Sequence, residues 1–437
     1  MRLNAPYAEE MANLAARLGV EAYYVGGVVR DQLLGRASKD VDVVTVGVGP
    51  ESLLKPLGEL VSGSTLDVVG RFGTSQLRLP NEVVIEGVMA RSESYFKHSR
   101  KPDVKPASLR DDIERRDFTI NTLLVPVGDR EQVIDITGLG LGDLQSRMLR
   151  TPCDPARTFN DDPLRILRGV RFASKLGFNL EPETQQAMEA NRERLAIVSR
   201  ERIQAEMNGI LVSGNPSWGL ELLGRLRLLP YVGKALEQLA TQISSEPWQA
   251  VMQALETAPE DLSLRWVILC GLLGEYEPGK INESGRILTQ GLLEGLRYQS
   301  SQVKMITEAV KWLPVIAGYE PSSSDTYVRE LLFGAGAACS LALKAAEALC
   351  DEEKKATLND LQQRVRWLDS SGVIAQRKLP VSGDVVMAEL GLPPGKEVGA
   401  IQRRMWEAII TGAIPSTGEK AAVAWLRRNY LTETEIS

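Results

Sequence analysis

Two aspartates, Asp40 and Asp42, stand two residues apart in the otherwise apolar run Asp40-Val-Asp-Val-Val-Thr45. A β-strand turns residues i and i+2 to one face, so both carboxylates project together. Two anions side by side on a buried strand repel and are costly unless a cation compensates them. Oxygen-only ligation with few protein donors suits Mg²⁺, which keeps waters and substrate phosphates as its other ligands. Thirteen residues before Asp40 lies Gly27, closing the run Tyr24-Val-Gly-Gly and opening Val28-Val-Arg-Asp-Gln-Leu-Leu34. A strand, two residues without Cβ atoms and a helix N-terminus together suit a phosphate group. Gly26 and Gly27 are therefore candidates to cradle it, and Arg30 either neutralises it or forms a local ion pair with Asp31. Glu86, in Val83-Val-Ile-Glu-Gly-Val88, lies on another expected strand. It either completes the carboxylate cluster or blunts a sheet edge with an inward charge.

Composition removes the rival chemistries. The only histidine is His98, in a basic, proline-containing segment that reads as loop, so a multi-histidine metal site is impossible. The four cysteines (153, 270, 339 and 350) form no CxxC pair and imply a reducing, cytoplasmic setting. Hydrophobic residues at 43% and charged residues at 25% of 437 describe a soluble globular chain. The net charge of −6 argues against indiscriminate coating of nucleic acid and leaves room for a local basic groove. The uncharged stretch Leu331 to Leu343 falls short of the roughly 20 apolar residues of a membrane span, so no membrane partner is expected.

The elements that must position these residues change character along the chain. Up to about residue 140, short Val-, Ile-, Tyr- and Thr-rich runs read as strands: Ala22–Val25, Val41–Thr45, Thr65–Val69, Gln76–Leu79, Val83–Val88 and Val133–Ile136. Amphipathic segments such as Tyr7 to Leu18 separate them. Beyond about 155 the spacing is helical throughout, as in Pro163–Leu176, Arg202–Leu211 and Gln302–Trp312, with no fixed repeat. The expected fold class is α+β, a mixed head followed by an all-helical remainder.

Four segments carry a family resemblance. Gly26-Gly-Val-Val-Arg-Asp-Gln-Leu-Leu-Gly35 followed by Asp40-Val-Asp42 is similar to the first motif of the class II tRNA nucleotidyltransferases, in the polymerase β-like superfamily. Arg115-Arg-Asp-Phe-Thr-Ile-Asn121 resembles the second motif, with Thr122 where the family usually has Ala. Asp161-Asp-Pro-Leu-Arg165 resembles the nucleotide-selecting helix, with Asp161 where Glu is commoner, and Val198 to Glu206 the motif after it. Leu379 to Gly395 resembles the tail of bacterial CCA-adding enzymes.

The resemblance implies a polymerase β-like catalytic head over 1–150, a helical neck for nucleotide selection over 151–215, a body over 216–325 and a tRNA-binding tail over 326–437. It implies CMP and AMP transfer from CTP and ATP to a tRNA 3′ end, without a nucleic-acid template. Asp40 and Asp42 would hold Mg²⁺; Glu86 stands, from its own strand pattern, as either a third catalytic carboxylate or an edge charge. Arg116, Asp117 and Asn121 would hold the ribose, and Asp162, Arg165, Arg168 and Arg171 the rest of the nucleotide. Asp162 and Arg165 suit the Watson–Crick edges of cytosine and adenine, which pair an amine donor with a ring-nitrogen acceptor; uracil and guanine reverse that order. The competing reading makes Asp162 an N-cap before Pro163 and Arg165 its surface partner. Arg91 to Lys105 corresponds to a basic loop, with Arg91, Tyr95, Lys97, Arg100 and Lys101 as its candidate contacts. An A-adding partial enzyme, a poly(A) polymerase and a silent RNA-binding scaffold remain alternatives.

Overall fold

In the computed structural model, described over residues 2–38, 40–69, 73–80, 82–94, 103–243, 245–370, 374–415 and 418–431, helix α1 (Ala8–Leu18) leads into β1 (Ala22–Val25), α2 (Gly27–Leu33), β2 (Asp40–Thr45) and α3 (Glu51–Leu60). There follow β3 (Thr65–Val69), β4 (Thr74–Arg78), β5 (Val84–Met89), then β6 (Arg91–Ser94) and β7 (Asp103–Pro106), α4 (Leu109–Glu114) and β8 (Leu124–Pro126). Six strands form one sheet in the order β3-β4-β5-β2-β1-β8. Only the central pair β2–β5 is parallel; the other neighbours run antiparallel.

Strand alternation gives the sheet two distinct faces. Val41, Val43, Ile85 and Leu77 are fully buried, as are Leu53, Leu54 and Leu57 of α3. Gly87 belongs to that face too, since a Cβ there would meet Pro50 and Leu54 at 2.5 and 2.8 Å. On the other face Val25, Val44, Ala90, Ile113 and Leu124 pack as a second cluster, and Asp42 and Glu86 share that side.

The chain continues through α5 (Gly140–Ser146), β9 (Met148–Leu149), α6 (Pro155–Asp161), α7 (Leu164–Leu176), β10 (Asn179–Leu180), α8 (Pro182–Ala190), α9 (Arg200–Leu211) and α10 (Pro216–Arg225). α7 packs against both α9 and α10. The whole falls into two compact units, Met1–Tyr231 and Val232–Ser437. In the second unit all regular elements among the described residues are helical, and its core includes Trp266, whose indole N–H donates to Tyr298 at 2.8 Å. One run there, Asp325–Leu349, is long and apolar enough to cross a membrane by length and composition alone, contrary to expectation. It is broken at Gly336, where φ is 58°, and Val328, Leu331, Ala342 and Leu343 are buried.

Other expectations need correction. Val133–Ile136 makes only a single bridge, Leu124 to Ile134, on the outer side of the edge strand β8. In the region expected to be purely helical, the two-residue strand β10 pairs parallel with β9. The segment read as a loop has strand ends: β6 and β7 form an antiparallel ribbon, Arg91 opposite Pro106. Tyr95, Lys97, His98, Arg100 and Lys101 lie outside the described residues.

Candidate active site

Asp40 and Asp42 both emerge from β2, and the parallel register sets Asp42 opposite Glu86 of β5. Asp40 and Glu86 are exposed and Asp42 is half-buried. Burial pushes the Asp42 carboxyl up to about 6 and Glu86 and Asp40 add to this, while Arg116 and Arg30 pull the other way. Glu86 Oε1 also accepts from Gln76 Nε2 at 2.6 Å. Among the described residues no three His, Cys, Asp or Glu side chains converge on a common metal position.

The strand β1 ends at the turn that forms the floor. Gly26 has φ 74°, a region that disfavours any residue with a Cβ. A Cβ there would also lie 3.1 Å from Asp42 Oδ2 and 3.9 Å from Arg116 Nη1. Glycine at 26 therefore keeps the space beside Asp42 open. Gly27 begins α2, as expected.

Arg30 points into the protein. It is 4% exposed, its Nε donates to Asp31 at 2.8 Å and its Nη1 to Asn121 Oδ1 at 2.6 Å. Asn121 Nδ2 in turn donates to Asp117 Oδ1 at 2.9 Å, and Arg168 donates from Nε and Nη2 to Asp117 Oδ2 at 2.8 and 2.6 Å. Burial alone would raise the Asp117 carboxyl, but Arg168 and the Asn121 and Arg168 hydrogen bonds hold it far below the usual range. The local ion pair is thus the one found for Arg30, and the candidate ribose residues are wired to α7 through Asp117.

Asp162 and Arg165 are not partners of each other's side chains. Asp162 Oδ1 accepts from Leu164 N at 3.2 Å, the cap expected of it, and Oδ2 accepts from Arg202 Nη2 of α9 at 2.9 Å. Arg165, 8% exposed, donates from Nη2 to the Arg115 carbonyl at 2.6 Å and from Nη1 to the Thr158 carbonyl at 3.4 Å. The surface-pair reading of Arg165 fails because α7 turns that side of itself onto the head. Arg171 donates from Nε to Glu206 of α9 at 2.5 Å.

Three residues escaped the sequence. Phe172 receives the guanidiniums of Arg30, Arg168 and Arg171 around its ring at 5.2, 5.5 and 4.5 Å. Arg168 and Phe172 are i and i+4 on one helix, a readable signal; Arg30 carried none. Arg202 holds Asp162 from forty residues away and has no local signature. Asp112, fully buried, binds both Arg115 and Arg116, and its i+3 and i+4 spacing to them was legible.

Residues 22–150 match the model of the poly A polymerase head domain, and 177–239 that of a probable RNA- and SrmB-binding site of polymerase A. The CCA-adding enzyme of Geobacillus thermodenitrificans is 30% identical over 427 residues, covering 95% of both chains. The chain belongs to the CCA-adding enzyme family. The CCA-adding enzyme of Lacticaseibacillus paracasei is likewise 30% identical, over 92% of this chain and 91% of its own. The crystal structure of the Bacillus stearothermophilus CCA-adding enzyme in complex with CTP superposes with a TM-score of 0.73 at 25% identity, covering 99% of this chain and 100% of that one. Membership makes the chain a nucleotidyltransferase, an enzyme class that typically uses a divalent metal. The site fits one: Asp40 and Asp42 share one face of β2 with Glu86 opposite Asp42 in register, an all-oxygen set of hard donors, and Asp42 is a half-buried carboxylate whose charge burial disfavours.

Proposed function

We propose that this chain adds CCA to tRNA 3′ ends in the cytoplasm, with Asp40 and Asp42 as the ligands of Mg²⁺. The observation that carries the site assignment is the register of β2 with β5, which sets Asp42 opposite Glu86 where Gly26 keeps the neighbouring space open.

In the reaction the terminal ribose hydroxyl oxygen of the tRNA bonds to the α-phosphorus of CTP or ATP. The bond from that phosphorus to the bridging oxygen breaks, releasing pyrophosphate, and the hydroxyl proton passes to solvent. Mg²⁺, when bound, supplies charge for the triphosphate and lowers the pKa of the attacking hydroxyl. The protein's own contribution is placement. Asp42 and Asp40 fix where charge is compensated, and Gly26 admits the phosphates beside them. Asp117, fixed by Arg168 and Asn121, orients the ribose side of the pocket. Arg165 and Asp162 present a donor and an acceptor to the base, so selection needs no nucleic-acid template. Arg202 and the cap at Leu164 hold Asp162 in a set orientation, which supports its use as a reader.

The test is a tRNA ending at the discriminator base, offered CTP and ATP together and each NTP alone. Three residues added, in the order C, C, A, and none from UTP or GTP is the expected product. A single A added only to tRNA ending in CC, or open-ended A addition to unrelated RNA, refutes the proposal.

A further inference from the structure

Asp112 lies at the centre of an arrangement that none of the site residues explains alone. It is fully buried on α4, and five donors meet its carboxylate. Oδ1 accepts from Arg91 N at 3.3 Å and from Arg115 Nε and Nη2 at 3.1 and 2.5 Å. Oδ2 accepts from Arg116 Nε and Nη2 at 3.2 and 3.1 Å. Two consecutive guanidiniums would splay apart and repel; one carboxylate at i−3 and i−4 gathers both.

The residues so gathered lead to three different places. The carbonyl of Arg115 accepts from Arg165 Nη2 at 2.6 Å, so the backbone there sets the guanidinium proposed to read the base. The side chain of Arg116 reaches the space between Gly26 and Asp42, where its charge acts on Asp42. Asp117, the next residue, holds Arg168. Arg115 Nε also donates to the carbonyl of Arg91 at 3.0 Å, tying in the first residue of the β6–β7 ribbon.

We infer that Asp112 is a positioning residue: by clamping Arg115 and Arg116 it sets Arg165 for base choice and Arg116 beside Asp42 for transfer, without touching either substrate. The inference rests on the reading of Arg165 as a base selector. Displacement of a reacting or reading group by a fraction of an ångström to about 1 Å costs roughly ten- to a hundred-fold. Asp112→Asn keeps the shape and removes the charge that holds both guanidiniums. Arg115→Lys, at a side chain 20% exposed, keeps a cation while losing the forked contact to Asp112 and leaving Arg116 clamped.

The experiment measures kcat and KM for CTP, UTP, ATP and GTP on a tRNA primer with full-length Asp112→Asn, Arg115→Lys and Arg165→Ala, beside thermal midpoints. Asp112→Asn should lower the preference for CTP over UTP about tenfold or more and lower kcat as well. Arg115→Lys should lower the preference more than it lowers kcat, a split that loss of stability does not produce. Should Asp112→Asn fail to fold, the Arg115→Lys selectivity decides. Wild-type selectivity in Arg115→Lys, or in folded Asp112→Asn, while Arg165→Ala has lost it, overturns the inference alone. Wild-type selectivity in Arg165→Ala overturns the base-selector reading and the inference with it.

Discussion

Replacing Asp42 with Asn should abolish nucleotide transfer and at the same time stabilise the metal-free protein. In the unfolded chain this carboxyl ionises near 3.8; in the folded protein burial, Glu86 and Asp40 raise it to about 6. The folded state therefore binds the extra proton between those values, and ionising Asp42 opposes folding. The opposition is absent below about pH 3.8 and complete above about pH 6. Every tenfold gain in proton affinity on folding is worth about 1.4 kcal/mol, so the roughly hundredfold gain here caps the effect near ~3 kcal/mol. Asp42 is open to solvent on one side, so about 1–2 kcal/mol is the expected gain from Asp42→Asn at pH 7. For a unit of this size that raises the thermal midpoint by about 3–6 °C. Calorimetry in EDTA, repeated at pH 7 and pH 3.5, measures it: the gain should vanish at the lower pH. Adding Mg²⁺ should raise the wild-type midpoint by mass action and leave the variant's unchanged. A variant that melts below wild type in EDTA at pH 7, or that still transfers nucleotide, refutes the reasoning.

Arg165→Ala should retain weakened transfer while its preference for CTP and ATP over UTP and GTP falls about ten- to a hundred-fold, read by competition of the four NTPs. The same change leaves the part-buried Arg115 carbonyl without that donor, so the midpoint should also drop, by the equivalent of about 1–2 kcal/mol. Asp117→Asn breaks the pair between this buried carboxylate and the partly exposed Arg168 and should cost about 1.5–3 kcal/mol in denaturant unfolding at pH 7. Because the Asp117 carboxyl is depressed in the folded state, that stability is present above pH 4 and is lost on acidification below it, a dependence the variant should lack. Gly26→Ala should lower the midpoint more than Gly27→Ala, since only position 26 combines φ 74° with a Cβ 3.1 Å from Asp42 Oδ2.

The strand-and-helix alternation of the head was legible because strand periodicity is local. Val41, Val43 and Val44 around Asp40 and Asp42 announce β2 and the side its carboxylates take, whatever lies next to it. The helix after Gly26-Gly27 and the cap at Asp162 were readable for the same reason: each depends on residues within four positions. What strand neighbours whom is not local. The place of β8 beside β1, and the single bridge by which Ile134 meets its outer side, are set by tertiary pairing and not by the strand-like run Val133–Ile136 itself. Glu86 illustrates the division within a single residue. Its strand was visible, its register opposite Asp42 came from parallel pairing, and its bond to Gln76 came from an antiparallel neighbour. The partners of the arginines were least accessible. A guanidinium on a long stem takes whichever carboxylate or carbonyl packing brings within reach, so Arg165 went to Arg115 and Asp162 to Arg202. Residue types and spacing specify which groups are available for chemistry; helix packing on the head decides which of them meet, because charge pairing at about 3 Å is settled by tertiary distances that no sequence interval encodes.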